Sequence, residues 1–199
     1  MIDENGTTGS PTSPMSRIRR SPPHTGPVST IESVQIRRAG RLDADDVGVL
    51  TEGVYRNGGW GSDDYAPVLR DARARIDHAI VFVATLRAAP SRSGIVGTVT
   101  LALPGTRFVN VCRPDEAEVR MLAVAQDARG RGIGDALVDA CERRARAAGL
   151  AGVVLSTEPD MHAAHRLYRR RGYRRAPDRD WAVAATPLLV YRTDLGSHE

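Results

Sequence analysis

The segment 119–134 constrains the fold most, because an apolar strand pattern runs through alternating glycines directly into a helical pattern. Gly130, Gly132 and Gly134 remove side chains at this junction, so backbone N–H groups can approach an anion closely. The first turn of the following helix adds unpaired N–H groups and the positive end of the helix dipole. The segment therefore predicts a phosphate-binding strand–loop–helix unit.

Two common phosphate-binding motifs do not fit this loop. The dinucleotide fingerprint G-x-G-x-x-G requires a third glycine at position 135, where Asp135 would place a carboxylate against the pyrophosphate. A Walker-type loop requires a lysine, and all 28 residues counted as Lys+Arg are arginine. The absence of lysine also excludes Schiff-base and pyridoxal-phosphate chemistry. What is left is either a loop for another phosphate ligand or a glycine-rich turn without a ligand.

The chain on both sides of the loop alternates strand and helix patterns. Alternating or continuous apolar residues predict the strands 34–38, 80–86, 94–103, 119–124, 152–156 and 188–193. Apolar residues at helical spacing predict the helices 42–55, 63–78, 134–148 and 161–171. This order implies an α/β domain in which a mixed sheet has helices on both faces.

The composition of the ends predicts the domain boundaries. Residues 1–33 are rich in Pro, Ser, Thr and Gly and show no apolar period, which is typical of a disordered tail. We expect the domain to occupy residues 34–195 and a short tail to occupy residues 196–199. The sequence has no apolar run of the roughly 18 residues that a membrane helix needs, nor a signal-peptide core. A cytoplasmic location without membrane contact is therefore expected.

The reactive side chains indicate neither a metal site nor a disulfide framework. Cys112 and Cys141 are isolated, so free thiols in a reducing compartment are expected. His162 and His165 are close in sequence, but no cysteine or acid pattern completes a zinc site around them, and no metal is expected. A net charge of +4 suits an anionic ligand without demanding nucleic acid.

Two motifs at a definite spacing resemble those of the Gcn5-related N-acetyltransferases, the GNAT family. The loop Arg129-Gly-Arg-Gly132-Ile-Gly134 matches the pattern [Q/R]-x-x-G-x-[G/A] of that family. The stretch EVRMLAV at 118–124 resembles the fourth strand of the family, and LYRRRGY at 167–173 resembles its LYxxxGF signature. The interval between loop and signature holds one helix and one strand, as in the family. The resemblance extends over residues 34 to 195 and is strongest over 117–182. Within the family, the chain also resembles a bacterial branch of acetyltransferases.

The resemblance implies the GNAT (acyl-CoA N-acyltransferase) fold, an α/β fold with a mixed, mostly antiparallel sheet flanked by helices. It also implies acetyl-CoA as co-substrate and an acetyl group that moves to a primary amine by direct attack on the thioester. In the family the loop binds the pyrophosphate, and the pantetheine arm lies between the splayed fourth and fifth strands. An amide near the end of the fourth strand can stabilise the thioester oxygen. The cofactor-binding residues implied by the resemblance are Leu122, Ala123, Val124, Arg129, Gly130, Arg131, Gly132, Ile133 and Gly134.

The resemblance further implies two catalytic residues. Tyr168 in the LYRRRGY signature corresponds to the tyrosine that gives a proton to the departing thiolate, and its alternative role is packing between helix and sheet. Glu118 corresponds to a glutamate that removes the proton of the amine, directly or through water. Its alternatives are a strand-end carboxylate in solvent or an ion pair with Arg120. Ser156 and Thr157 on the fifth strand are too weakly basic to replace it.

Other features of the sequence leave alternatives open. Glu158 and Asp160 are weaker candidates for the base. The family often directs an asparagine of the helix after the fifth strand at the cofactor, and His165 or Arg166 is the candidate to replace it here. The Trp60 loop, with its acids Asp63 and Asp64, falls where the family recognises the acceptor. The arginines 166, 169, 170, 171, 174 and 175 form either a solvated face near the cofactor or an RNA-binding surface. A non-catalytic acyl-CoA-binding or RNA-binding module on the same fold is the alternative function, and homodimerisation is compatible with the last strands.

Overall fold

The computed structural model describes residues 34–87 and 93–196, so the predicted tail 1–33 and residues 197–199 lie outside the described residues. The strands are β1 Gln35–Arg38, β2 Ile80–Thr85, β3 Ile95–Ala102, β4 Glu116–Val124, β5 Gly152–Thr157, β6 Arg174–Arg175, β7 Trp181–Val183 and β8 Thr186–Asp194. The α-helices are α1 Ala44–Gly58, α2 Ala66–Arg70, α3 Ala72–His78, α4 Ile133–Arg146 and α5 His162–Arg170. In the part of the chain covered by these ranges, no helix is long and apolar enough to cross a membrane.

The sheet has the strand order β1-β2-β3-β4-β5-β8-β6, and β7 pairs with the first part of β8. Only β4 and β5 pair in parallel, and every other described pairing is antiparallel. Because α4 connects these two parallel strands, the chain makes a crossover at the centre of the sheet. The expected mixed, mostly antiparallel sheet is therefore confirmed.

Strand β2 shows why helices lie on both faces of the sheet. Successive side chains of a strand point to opposite faces, and here both sets are apolar. Ile80 and Ala84 belong to the cluster that contains Leu137 of α4. Val81 and Val83 belong to a second cluster that contains Val47 of α1 and Ala72 of α3. The sheet is thus covered on one face by α4 and α5 and on the other by α1 and α3.

The predicted helix 63–78 is wrong as one continuous element. The chain forms a short 3-10 helix, Asp63–Tyr65, and then α2 and α3 with a break at Asp71. Asp71 has ψ 69°, which is outside the helical range, and its carboxylate accepts a hydrogen bond from the Ala74 amide at 2.9 Å. The side chain thus caps α3, because an aspartate competes for backbone amides better than it continues a helix.

Candidate active site at the cleft between β4 and β5

The two parallel strands separate halfway along β4. They pair from Glu116 opposite Gly152 to Val119 opposite Leu155, and no further. Beyond this point β4 remains paired with β3 up to Val124, and β5 remains paired with β8 up to Thr157. The edge of β4 that faces β5 therefore has no strand partner from residue 120 onward, and a cleft opens between the two strands.

A β-bulge in β4 lies at the start of this cleft. Arg120 is opposite Thr100 and Ala123 is opposite Thr98, so two residues of β4 lie across from one residue of β3. One of the two, Met121, has φ 54°, in the left-handed region that a methionine rarely adopts. A bulge bends the strand that carries it and increases its twist, which accounts for the divergence of β4 from β5. Nothing in the sequence indicates this bulge, since Met121 has no special preference for such a conformation.

The glycine loop joins β4 to α4 as predicted, with two glycines in left-handed conformations. Gly130 has φ 78° and Gly132 has φ 75°, and a Cβ at either position would meet no atom within 4 Å. Backbone conformation, and not close packing, therefore requires glycine at both positions. Gly134 differs, because a Cβ there would lie 3.3 Å from Cδ2 of Leu167 and would crowd α5.

The loop presents a row of free amides. Within the described residues, the amides of residues 130–135 donate no hydrogen bond, and Gly132 does not cap α4 with a side chain. Arg129 donates from Nε to the carbonyl oxygen of Val124 at 3.2 Å, and the side chain of Arg131 has no carboxylate partner among the residues described. Free amides, a helix N-terminus and two guanidinium groups together form a site for a polyanion.

Of the three strand residues predicted to contact the cofactor, only Leu122 lines a cavity in the cleft. Ala123 is buried and opposite Thr98 of β3, and the carbonyl of Val124 is occupied by Arg129. The role of these three residues stays a prediction.

Two adjoining cavities occupy the cleft. The narrow one, of about 60 Å³, is lined by Leu122 of β4 and Tyr168 of α5. The larger one, of about 350 Å³, is lined by β4, β5, the loop after α1 and the β7–β8 hairpin. Both share Val119, Arg120 and Met121. The cleft is therefore continuous from the unpaired edge of β4 to the hairpin.

Tyr168 stands in the wall of the narrow cavity. Its side chain is 5% exposed and packs against the rings of Tyr173 and Tyr191, at centroid distances of 5.6 and 6.4 Å. Its hydroxyl makes no hydrogen bond to any described residue. Burial raises the pKa of the Tyr168 phenol, so the group keeps its proton at neutral pH. The residue thus combines the packing role with access to the cleft, and its catalytic role stays a prediction.

Glu118 is buried in the wall of the larger cavity, and it is not a strand-end carboxylate in solvent. Its Oε2 accepts hydrogen bonds from three consecutive amides, those of Asn110, Val111 and Cys112, at 2.7, 2.9 and 3.2 Å. Its Oε1 lies 3.9 Å from Nε of Arg120. One oxygen therefore anchors the segment before β4, and only Oε1 remains for an incoming proton.

A buried cation behind the bulge was not anticipated from the sequence. Arg75 of α3 is 1% exposed and has no carboxylate partner among the described residues. It donates to Sδ of Met121 at 2.7 Å and to the carbonyl oxygen of Leu69 at 2.9 Å. Burial lowers the pKa of Arg75 to about 10, which leaves the guanidinium charged at neutral pH. The bulge therefore contacts a buried positive charge. The sequence does not indicate this, because Arg75 is one of several arginines in its helical segment.

The Trp60 loop borders the cleft, with Trp60 in the narrow cavity and Gly61 and Ser62 in the larger one, but its two acids do not line the cleft. Asp63 borders a separate cavity next to Trp60, and Asp64 lines none of the cavities of the cleft. Tyr65 and Glu158 line the larger cavity instead. Oε1 of Glu158 accepts a hydrogen bond from the Gly61 amide at 2.8 Å, which ties this loop to the segment after β5.

Of the two candidate histidines, His165 serves the protein interior, whereas His162 is exposed. Nε2 of His165 lies 3.0 Å from the carbonyl oxygen of Glu158, and the ring of His165 packs on Tyr191. Burial lowers the pKa of His165, which favours the neutral ring. No group of three potential metal ligands occurs within residues 34–87 and 93–196.

Much of the arginine cluster is neutralised by acidic side chains. Arg170 pairs with Asp135 at 3.1 Å, and Arg171 pairs with Glu142 at 2.7 Å. Arg175 pairs with Asp180 at 2.6 Å. Arg166 and Arg174 make no ion pair with a described residue. The surface is therefore much less positive than its sequence implies.

Comparison with known proteins gives one family. The model of the acetyltransferase (GNAT) family matches residues 51–173. The mycothiol acetyltransferase of Nocardia farcinica is 35% identical over 116 residues, which are 58% of this chain and 35% of that protein. The chain thus spans about a third of the length of this curated relative.

Two solved structures have the same fold. An acetyltransferase of the GNAT family from Staphylococcus aureus Mu50 superposes with a TM-score of 0.63 at 17% identity, over 82% of this chain and all of that one. The PaiA N-acetyltransferase of Thermoplasma acidophilum in complex with coenzyme A gives a TM-score of 0.59 at 13% identity, over 79% of this chain and 98% of that one. The family and the fold implied by the sequence motifs are confirmed.

Proposed function

The chain belongs to the acetyltransferase (GNAT) family, and we propose that it transfers the acetyl group of acetyl-CoA to a primary amine by direct attack on the thioester. The observation that carries this proposal is the continuity of one cleft. The cleft runs along the unpaired edge of β4, the strand that leads into the glycine loop with its free amides, to a cavity of about 350 Å³ that is large enough for a small acceptor.

The phosphate end suits the diphosphate of acetyl-CoA. The amides of residues 130–135 have no other partner among the described residues, and Arg129 and Arg131 add positive charge. The unpaired edge of β4 offers backbone groups to the amides of a pantetheine arm. A related protein of the same fold was solved with coenzyme A, which supports acetyl-CoA as the co-substrate.

The chemistry follows from the groups that line the cleft. The amine attacks the thioester carbonyl carbon, the oxygen gains negative charge, and the C–S bond then breaks. Amides at the unpaired edge of β4 stabilise that oxygen, as an oxyanion hole does, and the cation of Arg75 behind Met121 favours negative charge there. No metal takes part in these steps.

Two side chains handle the protons. Oε1 of Glu118 accepts the proton of the attacking amine, directly or through water, while Oε2 holds the loop. Tyr168, which is protonated at neutral pH, donates its phenolic proton to the departing thiolate. Both roles are supported by the position of the side chains in the walls of the cleft.

A screen of primary amines for release of the CoA thiol from acetyl-CoA, with cofactor affinity measured by calorimetry, tests this function. We expect acetyl-CoA to bind and at least one amine to release thiol well above the rate of hydrolysis. If acetyl-CoA binds but no amine accelerates thiol release, the non-catalytic acyl-CoA-binding alternative is favoured. Tight binding of RNA instead of acetyl-CoA would overturn the proposal, since the paired arginines give no support to an RNA surface.

A further inference from the structure

The hairpin of β7 and β8 turns one face toward the larger cavity. In its register Trp181 is opposite Leu188 and Val183 is opposite Thr186. Residues directly opposite each other in an antiparallel pair lie on the same face. All four of these residues line the cavity, so a mostly apolar face of the hairpin forms one wall.

This wall is fixed in place by polar contacts at its edge. Nε1 of Trp181 donates to Oγ of Ser156 on β5 at 3.0 Å. Just before β7, Asp180 pairs with Arg175 at 2.6 Å and accepts a hydrogen bond from the Val190 amide at 2.7 Å. The hairpin is therefore held in place as a wall of the cavity.

No group of residues 34–87 or 93–196 covers the hairpin side of the cavity. Val183 is 49% exposed, although its neighbours on the hairpin face line the cavity. Of the charged lining groups, Arg120 donates to the Phe108 carbonyl at 2.7 Å and Oε1 of Glu158 accepts from the Gly61 amide, whereas Oε1 of Glu118 remains available. The rest of the lining that a ligand can reach is mostly apolar.

From this arrangement we propose that the acceptor is a small primary amine with an apolar alkyl or aryl body. The inference rests on the proposed function and adds the substrate class. The cavity of about 350 Å³ lies at the lower end of the range for small-molecule sites. The body of the amine packs between Val183, Leu188 and the face of β4, with the amino group toward the bulge at Met121.

A ladder of amines tests the substrate class. We choose n-butylamine and n-hexylamine, which differ in length but not in basicity, with 2-phenylethylamine, ethanolamine and putrescine as comparisons. Each is titrated calorimetrically into the protein saturated with CoA, and kcat/KM is measured with acetyl-CoA. Each buried methylene is worth about 0.8 kcal/mol, so affinity should rise about fourfold per methylene. Stronger binding of ethanolamine or putrescine than of n-hexylamine would overturn the proposal.

A matched pair of variants locates the effect on the hairpin. Val183→Asp places a carboxylate on the cavity wall, whereas Val49→Asp places one on α1 at a position with the same 49% exposure. Val183→Asp should weaken n-hexylamine binding at least tenfold and abolish its advantage over n-butylamine, with CoA affinity unchanged. Val49→Asp should behave as the unmodified protein. Equal chain-length selectivity in the two variants would contradict the proposed location.

The two readouts separate this inference from the proposed function. If the affinity for apolar amines rises with chain length as expected but none is acetylated, the proposed function fails and the amine-binding role of the cavity stands. If amines are acetylated with no dependence on chain length, the function stands and the inference fails. If amines neither bind nor react, both are overturned.

Discussion

The two ends of the cleft are built in different ways. The phosphate end comes from one continuous stretch, residues 129–135, whose shape is set by left-handed glycines and by the start of α4. The proposed acceptor end is assembled from separate segments: parts of β4 and β5, the loop after α1, the segments before β4 and after β5, and the β7–β8 hairpin. Its shape therefore depends on contacts between residues far apart in the sequence.

Two buried glutamates on β4 provide many of these long-range contacts. Glu116 pairs with Arg179 at 2.6 Å and with Arg192 at 2.6 Å, across separations of 63 and 76 residues. Glu118 gathers three amides of the segment before β4. The comparison teaches that local backbone geometry shapes the proposed cofactor end, whereas a network of buried carboxylates maintains the shape of the proposed acceptor end.

The largest effect is expected at the phosphate end from Gly132→Glu. The substitution forces a side chain into a left-handed conformation and adds a carboxylate where phosphates are proposed to bind. Loss of two charge-assisted hydrogen bonds, at about 1.5–3 kcal/mol each, predicts acetyl-CoA binding weaker by about 10²–10⁴-fold. Calorimetry measures this affinity.

The matched control is Gly149→Glu, since Gly149 has φ 73°, open space for a Cβ and a position just beyond the other end of α4. It should lose stability in the same way but keep its affinity for acetyl-CoA. Equal affinities in the two variants would remove the glycine loop from the binding site.

Tyr168→Phe is expected to give the next largest effect, in the middle of the cleft. It keeps the ring and its packing but removes the phenolic proton, so turnover should fall by about 10²–10⁴-fold with cofactor affinity unchanged. Tyr173→Phe is the control, because Tyr173 packs on the same ring cluster but lines neither cavity. Similar turnover in both variants would leave Tyr168 with its packing role alone.

The sequence predicts the strand–loop–helix junction at 119–134 well because its information is local. The glycines, the start of α4 and Tyr168 in LYRRRGY all follow from short motifs, and the proposed site uses them where the motifs placed them. The short strands β6 and β7 contain two and three residues, which are too few for an alternating pattern to be recognised. Met121 and Arg75 carry no local signal, since the bulge and the buried cation arise only when α3 packs against β4. Tyr65 and Glu158 line the larger cavity in place of Asp63 and Asp64 for the same reason, and recognition of the acceptor by the two acids stays a prediction.

Glu118→Gln tests whether the second buried glutamate serves chemistry as well as shape. Glutamine can still accept hydrogen bonds from the amides at 110–112 but cannot accept a proton from the amine. We expect kcat to fall by about 10²-fold with little change in the acceptor KM. A higher KM with kcat retained would show that the residue only shapes the loop.

Acid should weaken the acceptor end through Glu116. Burial opposes ionisation of this carboxyl, but hydrogen bonds from Arg179, the Arg113 amide and Arg192 outweigh burial and lower its pKa to about 2. Because the folded pKa lies below the ordinary value of 4.5, ionised Glu116 stabilises the fold above about pH 4.5. That contribution is lost as the pH falls from about 4.5 toward 2.

The free energy of unfolding, measured with denaturant between pH 5 and the acid limit, checks this dependence. We expect Glu116→Gln to flatten the pH dependence and to lower stability at neutral pH by about 3–5 kcal/mol, the usual cost of breaking a buried ion pair. Asp45→Asn, at an exposed position on α1, should leave the slope intact. An unchanged slope in Glu116→Gln would assign the acid sensitivity to other carboxyls.

Hydrogen exchange of the whole chain, with and without ligands, tests most directly that one cleft holds both substrates. Acetyl-CoA should protect the amides of residues 130–135 and the unpaired edge of β4 at 120–124. A bound amine added to the CoA complex should extend protection to residues 108–112 and 181–188. Protection by acetyl-CoA that is confined to other elements, such as the arginine face of α5, would contradict the account.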